Sequence, residues 1–244
     1  SLSEGTFSQV STFVGSAGNP GNTNGDAATA RFNFPVGIAV DSNSNAYITD
    51  LQNGTIRHID TDGNVTDVIA QYDLPDGGTQ TFLRPMDLAI KEDENGNAAE
   101  IFVADTGNHS IVKITLGTPN TAALISGSGS RFKPGDNNAF LASETLFDTP
   151  SSIAYDASDD EIWISDTGNN VVRILDHQPL LGQLGAFVLV DTDTQVRIPF
   201  DRPMGLEIDN NGNVPIVELG SNSLKWIQLV TSLPPITKPE IGPV

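Results

Sequence analysis

Four acidic residues recur at one position of a repeated phrase: Asp50, Asp105, Asp166 and Glu218. Carboxylates of this kind can act as a general acid and base or bind a cation. Each acid, however, ends a predicted strand just before a turn of the T-G-N type, where a carboxylate accepts hydrogen bonds from the backbone N–H groups of that turn. One acid per copy in the same register is typical of a structural residue, so we expect these four acids to stabilise the repeat.

The other groups that could carry chemistry do not form a convincing site. His58, His109 and His177 occupy three different positions of the repeat and form no H-x-x-x-H pair, and cysteine is absent. This pattern gives no zinc ligand set, and no G-x-S-x-G motif offers a nucleophile. The sequence therefore predicts no catalytic residue and no metal-binding residue.

Two Asp/Asn-rich segments contain oxygen ligands that could bind calcium. Oxygen ligands alternate in DTDGN and in DENGN, but neither segment has the glutamate that completes a calcium loop at its twelfth position. The same composition is typical of hairpin turns, in which Asn and Gly supply the positive φ angles. We therefore expect turns and no cofactor, with calcium as the alternative.

A repeat organises the chain that carries these residues. Phe32, Phe82, Phe147 and Phe200 each lie three residues before a proline, and each proline lies three residues before Ile or Leu. A second phrase follows in each copy: TDLQNGTIRHI, ADTGNHSIVKI, SDTGNNVVRIL and VELGSNSLKWI. Between these phrases lie short β-branched runs bounded by Asn, Asp, Gly and Ser, which predict about four strands per copy. Antiparallel four-stranded units that repeat in this way favour an all-β fold, a β-propeller.

The phrases FNFPVGIAVDSNSNAYITD, IFVADTGNHSIVKI and IWISDTGNNVVRI resemble the NHL-repeat β-propeller family. The resemblance implies a propeller of four-stranded antiparallel blades, of which four NHL-like repeats are visible. NHL-like amidating lyases hold zinc with three axial histidines, and only His109 falls at a matching place. A metal-dependent lactonase or lyase is thus the enzyme alternative.

Ring closure and domain limits follow from the same repeat. The segment from Gln9 to Gly15 resembles the outer strand of a blade, so we expect it to complete the fourth blade and close the ring. The alternatives are an open arc or part of a six-bladed ring. We expect one propeller domain over residues 1–230. Four prolines predict a tail or linker over residues 231–244.

Composition limits the partners. With 31 Asp and Glu against 12 Lys and Arg, the net charge is −19, which disfavours nucleic acid and anionic membrane surfaces. Loops at one end of the blades would hold eight polar residues, and we expect them to bind a protein or carbohydrate ligand. They are Arg31, Arg84, Asp87, Asn108, His109, Asn170, Arg202 and Asn222. The sequence thus predicts a non-catalytic binding module that is secreted or on a cell surface, with an architectural spacer in a larger surface protein as a further alternative.

Overall fold

The computed structural model describes residues 10–130, 133–136, 142–178, 183–189 and 197–227. Its described part forms four sheets in sequence order, built mainly from antiparallel strand pairs, as the repeat predicts. No helix in these ranges is long and apolar enough to cross a membrane. The predicted tail at 231–244 lies outside the described residues.

Each blade begins at the repeat proline. Blade 1 holds β1 (Pro35–Val40), β2 (Ala46–Asp50), β3 (Thr55–Ile59) and β4 (Val65–Ile69). A short hairpin follows, β5 (Gln71–Asp73) and β6 (Thr79–Thr81). Blade 2 holds β7 (Pro85–Glu92), β8 (Ala98–Asp105), β9 (Ser110–Thr115) and β10 (Thr121–Gly127). The hairpin extends blade 2 to six strands, because β5 pairs in parallel with β10.

Blades 3 and 4 follow the same order. Blade 3 holds β11 (Pro150–Asp156), β12 (Glu161–Asp166), β13 (Val171–Gln178) and β14 (Gln183–Val188). The described part of blade 4 has three strands, β15 (Pro203–Leu206), β16 (Val214–Glu218) and β17 (Ser223–Ile227).

The apolar core lies between neighbouring blades, as a propeller requires. Ile56 and Tyr47 of blade 1 pack with Leu88 and Ile101 of blade 2. The next cluster joins blades 2 and 3 through residues such as Phe102 and Ile164, and a third joins blades 3 and 4 through Trp163 and Leu206. The repeat phenylalanines Phe82, Phe147 and Phe200 are buried in these clusters.

The hairpin turns predicted from Asn and Gly are present between the first and second strands and after β3. Asp41, Asp60, Asp93 and Asp209 each accept hydrogen bonds from the backbone N–H groups two and four residues later. The side-chain amide of the asparagine at the fourth position donates to the same carboxyl group. These turns therefore use the carboxylates of the DTDGN and DENGN segments internally.

The N-terminal segment differs from the expectation. Residues 10–15 form no strand, and the Gly15 N–H donates to the carbonyl of Ala27 instead of pairing with β17. Val14 and Phe32 pack with Ile48 and Val65 of blade 1. The prediction that Gln9 to Gly15 completes blade 4 is thus wrong for residues 10–15, because contacts with blade 1 hold the segment there; Gln9 lies outside the described residues.

Candidate functional site

One end of the blades, here called the loop pole, is built from two residues per repeat. The first precedes the repeat proline, and the second closes the T-G-N turn between the second and third strands. The residues before proline are Phe34, Arg84, Thr149 and Arg202, and those after the turn are Gly54, His109, Asn170 and Asn222. All eight have φ between 50° and 63°, which is uncommon for non-glycine residues. Because the conformation recurs in every copy, it belongs to the architecture of the pole.

Hydrogen bonds join the two residue types across neighbouring blades. The Thr149 N–H of blade 3 donates to Nδ1 of His109 in blade 2 at 3.0 Å. The Arg202 N–H of blade 4 donates to Oδ1 of Asn170 in blade 3 at 2.9 Å. Hydroxyls add a second link at each joint, since Thr106 and Thr167 donate to the carbonyls of Pro150 and Pro203, each at 2.6 Å. Hydrogen bonds between blades therefore hold the backbone of the loop pole in place.

A cleft of about 280 Å³ opens at this pole between blades 2, 3 and 4. Its walls include Arg84, His109, Thr149, Ser151 and Met204. The hydroxyl of Ser151 and the ring of His109 already serve the joints between blades. Arg84 is exposed at its edge and forms no ion pair with any residue in the described ranges. Arg84 thus brings a positive charge to the edge of the cleft, while the partly exposed carboxylate of Asp148 lies 3.5 Å from Nδ1 of His109 in the wall.

The remaining cations are mostly committed elsewhere. Arg202, at the position equivalent to Arg84, is also exposed and without an ion pair among the described residues. Six other cations form ion pairs within 4.0 Å: Arg57, Lys91, Lys113, Arg173, Arg197 and Lys225. In a chain of net charge −19, the loop pole therefore carries two guanidinium groups available to an acidic ligand.

The repeat acids lie behind the pole and are buried. In each blade one carboxyl oxygen accepts the backbone N–H of the residue after the repeat phenylalanine. The four bonds run from Asn33 to Asp50, Leu83 to Asp105, Asp148 to Asp166 and Asp201 to Glu218, at 2.7 to 2.9 Å. The second oxygen accepts a side chain of the turn, Asn53, Asn108, Asn169 or Ser221. The expected backbone donors of the T-G-N turn are not the ones used.

A cation seven residues after the acid completes this network in three blades. Arg57 contacts Asp50 at 3.1 Å, Arg173 contacts Asp166 at 2.6 Å, and Lys225 contacts Glu218 at 2.9 Å. The spacing of seven residues is visible in the sequence, but an interpretation of the acids as turn residues does not make use of it. Burial opposes ionisation of Glu218, yet hydrogen bonds from Ser221 and Lys225 lower its pKa to about 2.

In blade 2 the buried repeat acid, Asp105, has no cation beside it among the described residues. Val112 stands at the cation position, and the Tyr72 hydroxyl from β5 donates to Oδ2 of Asp105 at 2.9 Å. Burial raises the pKa of Asp105 to about 6, although hydrogen bonds from Asn108, Leu83 and Tyr72 lower it. Burial raises the pKa of Asp166 to about 6 as well, even with Arg173 beside it. These contacts describe a structural carboxyl group held by a neighbouring hairpin.

The structure divides the eight predicted ligand-binding residues. Arg84, Asn170, Arg202 and Asn222 are exposed at the loop pole, and His109 lies in the cleft wall.

The other three residues are placed differently. Arg31 lies in the N-terminal segment and donates to the carbonyls of Ala28 and Ala30. Asp87 accepts hydrogen bonds from Ser152 and from the Ile153 N–H of the next blade. Asn108 is fully buried between Asp105 and the Thr81 carbonyl. The side chains of these three residues therefore make internal contacts.

The described residues contain no group of three or more His, Asp or Glu side chains arranged to hold a metal ion. His58 packs against Tyr47 in blade 1, far along the repeat from the position of His109. A second cavity of about 260 Å³ is lined by the first strands, with Glu207 among apolar residues such as Ile38, Leu88 and Ile153. Partial burial and the charge of Asp87 raise the pKa of Glu207. No Lys or Arg among the described residues pairs with Glu207.

A family model described as NHL repeat matches residues 147–175, which contain the start of blade 3 and its repeat acid. This match confirms the NHL-repeat resemblance. The chain is also 24% identical over 238 residues to Protein SUPPRESSOR OF QUENCHING 1, chloroplastic, of Arabidopsis thaliana. That alignment covers 89% of this chain and 22% of the Arabidopsis protein, so the chain spans about a fifth of the length of this relative.

Two solved structures share the fold. The Nidogen/Laminin Complex structure aligns with a TM-score of 0.53 and 16% identity, covering 81% of this chain and 62% of that chain. An auxiliary nutrient binding protein from Bacteroides ovatus aligns with a TM-score of 0.60 and 13% identity, covering 82% of this chain and 49% of that chain. These similarities and the sheet topology confirm the all-β, propeller-like fold of four-stranded antiparallel blades.

Proposed function

We propose that this NHL-like propeller is a binding module that recognises an acidic group of a protein or glycan at its loop pole. The observation that carries the proposal is the pair of exposed arginines, Arg84 and Arg202, which stand at equivalent positions without ion pairs in the described ranges. A guanidinium group presents several N–H donors in a planar fork that matches a carboxylate. The left-handed backbone at both arginines, and at Arg202 also the hydrogen bond from its N–H to Asn170, fix where the side chain begins, which reduces the entropy that binding loses.

Two structural neighbours support binding as the general role. One is a nidogen/laminin complex and the other a nutrient binding protein. The extracellular or cell-surface setting expected from the sequence is part of the proposal, while the Arabidopsis relative is named as chloroplastic. Cell fractionation with an antibody against the chain tests that part separately.

The binding test uses two defined probe sets, oligosaccharides that contain uronic acids and peptides rich in Asp and Glu, each with a neutral counterpart. We expect at least one acidic probe to bind the wild-type chain. The double variant Arg84→Ala/Arg202→Ala should weaken that binding about tenfold or more, which corresponds to about 1.4 kcal/mol. Lys113→Ala is the matched control, because Lys113 lies on β9 and pairs with Glu100.

Three results would contradict the proposal. One is equal binding of acidic and neutral probes, and another is equal weakening by the control and the double variant. The third is turnover of a bound probe by the purified chain, which would favour the enzyme alternative. Melting in chelator would then show whether a metal supports that activity.

A further inference from the structure

Blade 4 presents an exposed apolar face on the side away from blade 3. Val217, Leu219, Leu224 and Trp226 of this face are between 51% and 61% exposed. The residues equivalent to Val217 and Leu224 are Ala104 and Ile111 in blade 2 and Ser165 and Val172 in blade 3, and all four are fully buried by the blade that follows. The face is therefore an interblade surface without a following blade in the described part of the chain.

Blade 1 presents the complementary side of such a joint. Ile38 of β1 is 63% exposed, whereas its equivalents Leu88, Ile153 and Leu206 are no more than 4% exposed. Val36 and Val40 on the same strand are also exposed, and so is Phe34, which directly precedes the strand. In the other three blades the first strand packs on the blade before it, and β1 has none before it in the described residues.

The hydrogen bond that joins neighbouring blades also has one partner on blade 4 and the other on blade 1. Asn222 stands where His109 and Asn170 accept the N–H of the residue before the next repeat proline. Among the described residues, Asn222 accepts no such hydrogen bond. Phe34 occupies the donor position of the joint, with φ of 63°. Asn222 at the acceptor position of blade 4 thus matches Phe34 at the donor position of blade 1.

Leu219 gives an internal comparison for the same conclusion. Its equivalent in blade 1, which does have a following blade, is Leu51, and Leu51 is 8% exposed. Leu219 is 51% exposed and lines a groove of about 500 Å³ together with Met204, Val217 and Leu224. The groove lies where the first strand of a following blade would pack.

We propose that two copies of this chain associate head to tail, with the Phe34/Val36/Ile38/Val40 face of one copy on the Val217/Leu219/Leu224/Trp226 face of the other. The chain itself carries both halves of the joint, so every solution of it contains the partner surface. None of the eight side chains is charged, and burial of exposed apolar patches drives association. Such a contact is heterologous, and a second identical contact closes it as a twofold ring. Eight blades lie within the usual range for propellers.

The test is sedimentation of the purified full chain between about 1 and about 100 µM, the range in which an association of roughly 8 kcal/mol becomes visible. We expect the wild type to form a two-copy species. Ile38→Asp and Leu224→Asp should each sediment as one copy, because each variant removes one of the two faces from every molecule. Val10→Asp is the control, because Val10 is 98% exposed and belongs to neither face.

Mixing the two variants distinguishes this joint from other modes of association. The Ile38→Asp copy keeps the blade 4 face and the Leu224→Asp copy keeps the blade 1 face, so the mixture should form a one-to-one pair although neither variant associates alone. Circular dichroism checks that both variants are folded, which we expect because both positions are exposed. A wild type that remains one copy at 100 µM, or a mixture that does not pair, would overturn the proposal.

Discussion

Replacing Arg57 by methionine should be among the most damaging single changes outside the apolar core. The Arg57 guanidinium is fully buried, contacts Asp50 at 3.1 Å and Asp67 at 2.9 Å, and donates to Asn24 Oδ1 at 2.6 Å. It also donates to the carbonyls of Thr23 and Arg31, so one side chain joins blade 1 to the N-terminal segment.

The magnitude follows from the charge that would remain. Asp50 is fully buried, and removing one partner of a buried ion pair typically costs about 3 to 5 kcal/mol. Methionine keeps part of the apolar stem, so we expect the electrostatic loss to dominate. Arg197→Met is the control: Arg197 and its partner Asp136 are both at least a third exposed, and such pairs contribute about 0 to 1 kcal/mol.

Urea unfolding followed by circular dichroism measures the change in free energy, and trypsin reports the local effect. Without Arg57, cleavage after Arg31 should accelerate, because residues 22–31 lose their main anchor to blade 1. Asp50→Asn should be less damaging in the Arg57→Met background than in the wild type, since the two sites are coupled. A loss below about 1 kcal/mol, or one equal to that of Arg197→Met, would refute this account of the buried pair.

Three further predictions concern blade 2 and its contact with blade 1. Tyr72→Phe should lower the free energy of unfolding by about 1 to 3 kcal/mol, because the Asp105 carboxyl loses a buried hydroxyl donor, whereas Tyr155→Phe at a half-buried site should cost less. Because burial raises the pKa of Asp105, its ionisation disfavours the folded state. The contribution of Asp105 to the free energy of unfolding is therefore greatest below about pH 4 and is lost as pH rises through about 6. The difference in stability across this range is about 3 kcal/mol. Urea unfolding across this pH range should show a weaker fall for Asp105→Asn, and parallel profiles would contradict the assignment. Gly37→Ala should destabilise the chain by about 1 to 3 kcal/mol, because the new Cβ would lie 2.8 Å from the Met86 carbonyl oxygen and from Thr49 Oγ1; an unchanged melting temperature would show that the two blades can separate at no cost.

The strands and turns were predictable because their signals are local. Alternating apolar residues end at Asn, Asp and Gly clusters, and the Asp93 turn uses donors only two and four residues away. The repeat acids were recognisable as structural for the same reason, since Asp105 and Asp166 recur in one register. Their donors were not recognisable, because Leu83 and Asp148 precede the acids by a whole hairpin.

The candidate site was predictable only in part. Arg84 and Arg202 could be placed at one pole because they precede the repeat prolines. Asn108 is as polar as these arginines, but its side chain points inward to Asp105. The side chain of the next residue, His109, points the other way and contacts Thr149 of blade 3. The segment ending at Gly15 resembles an outer strand in sequence, yet Gly15 bonds to Ala27 and Val14 packs on blade 1, which no local pattern reveals.

The hairpin of β5 and β6 bears on how such blades can be exchanged or duplicated. A repeat cut at its proline, from Pro85 to Gly127, would contain Asp105 but leave behind Tyr72, the group that satisfies it. Blades 1 and 3 each contain the arginine that pairs with their repeat acid, so a cut at the proline would keep both partners together. Recombination that preserves blade 2 must therefore begin near Gln71, so the inherited module here is longer than the repeat that the sequence displays.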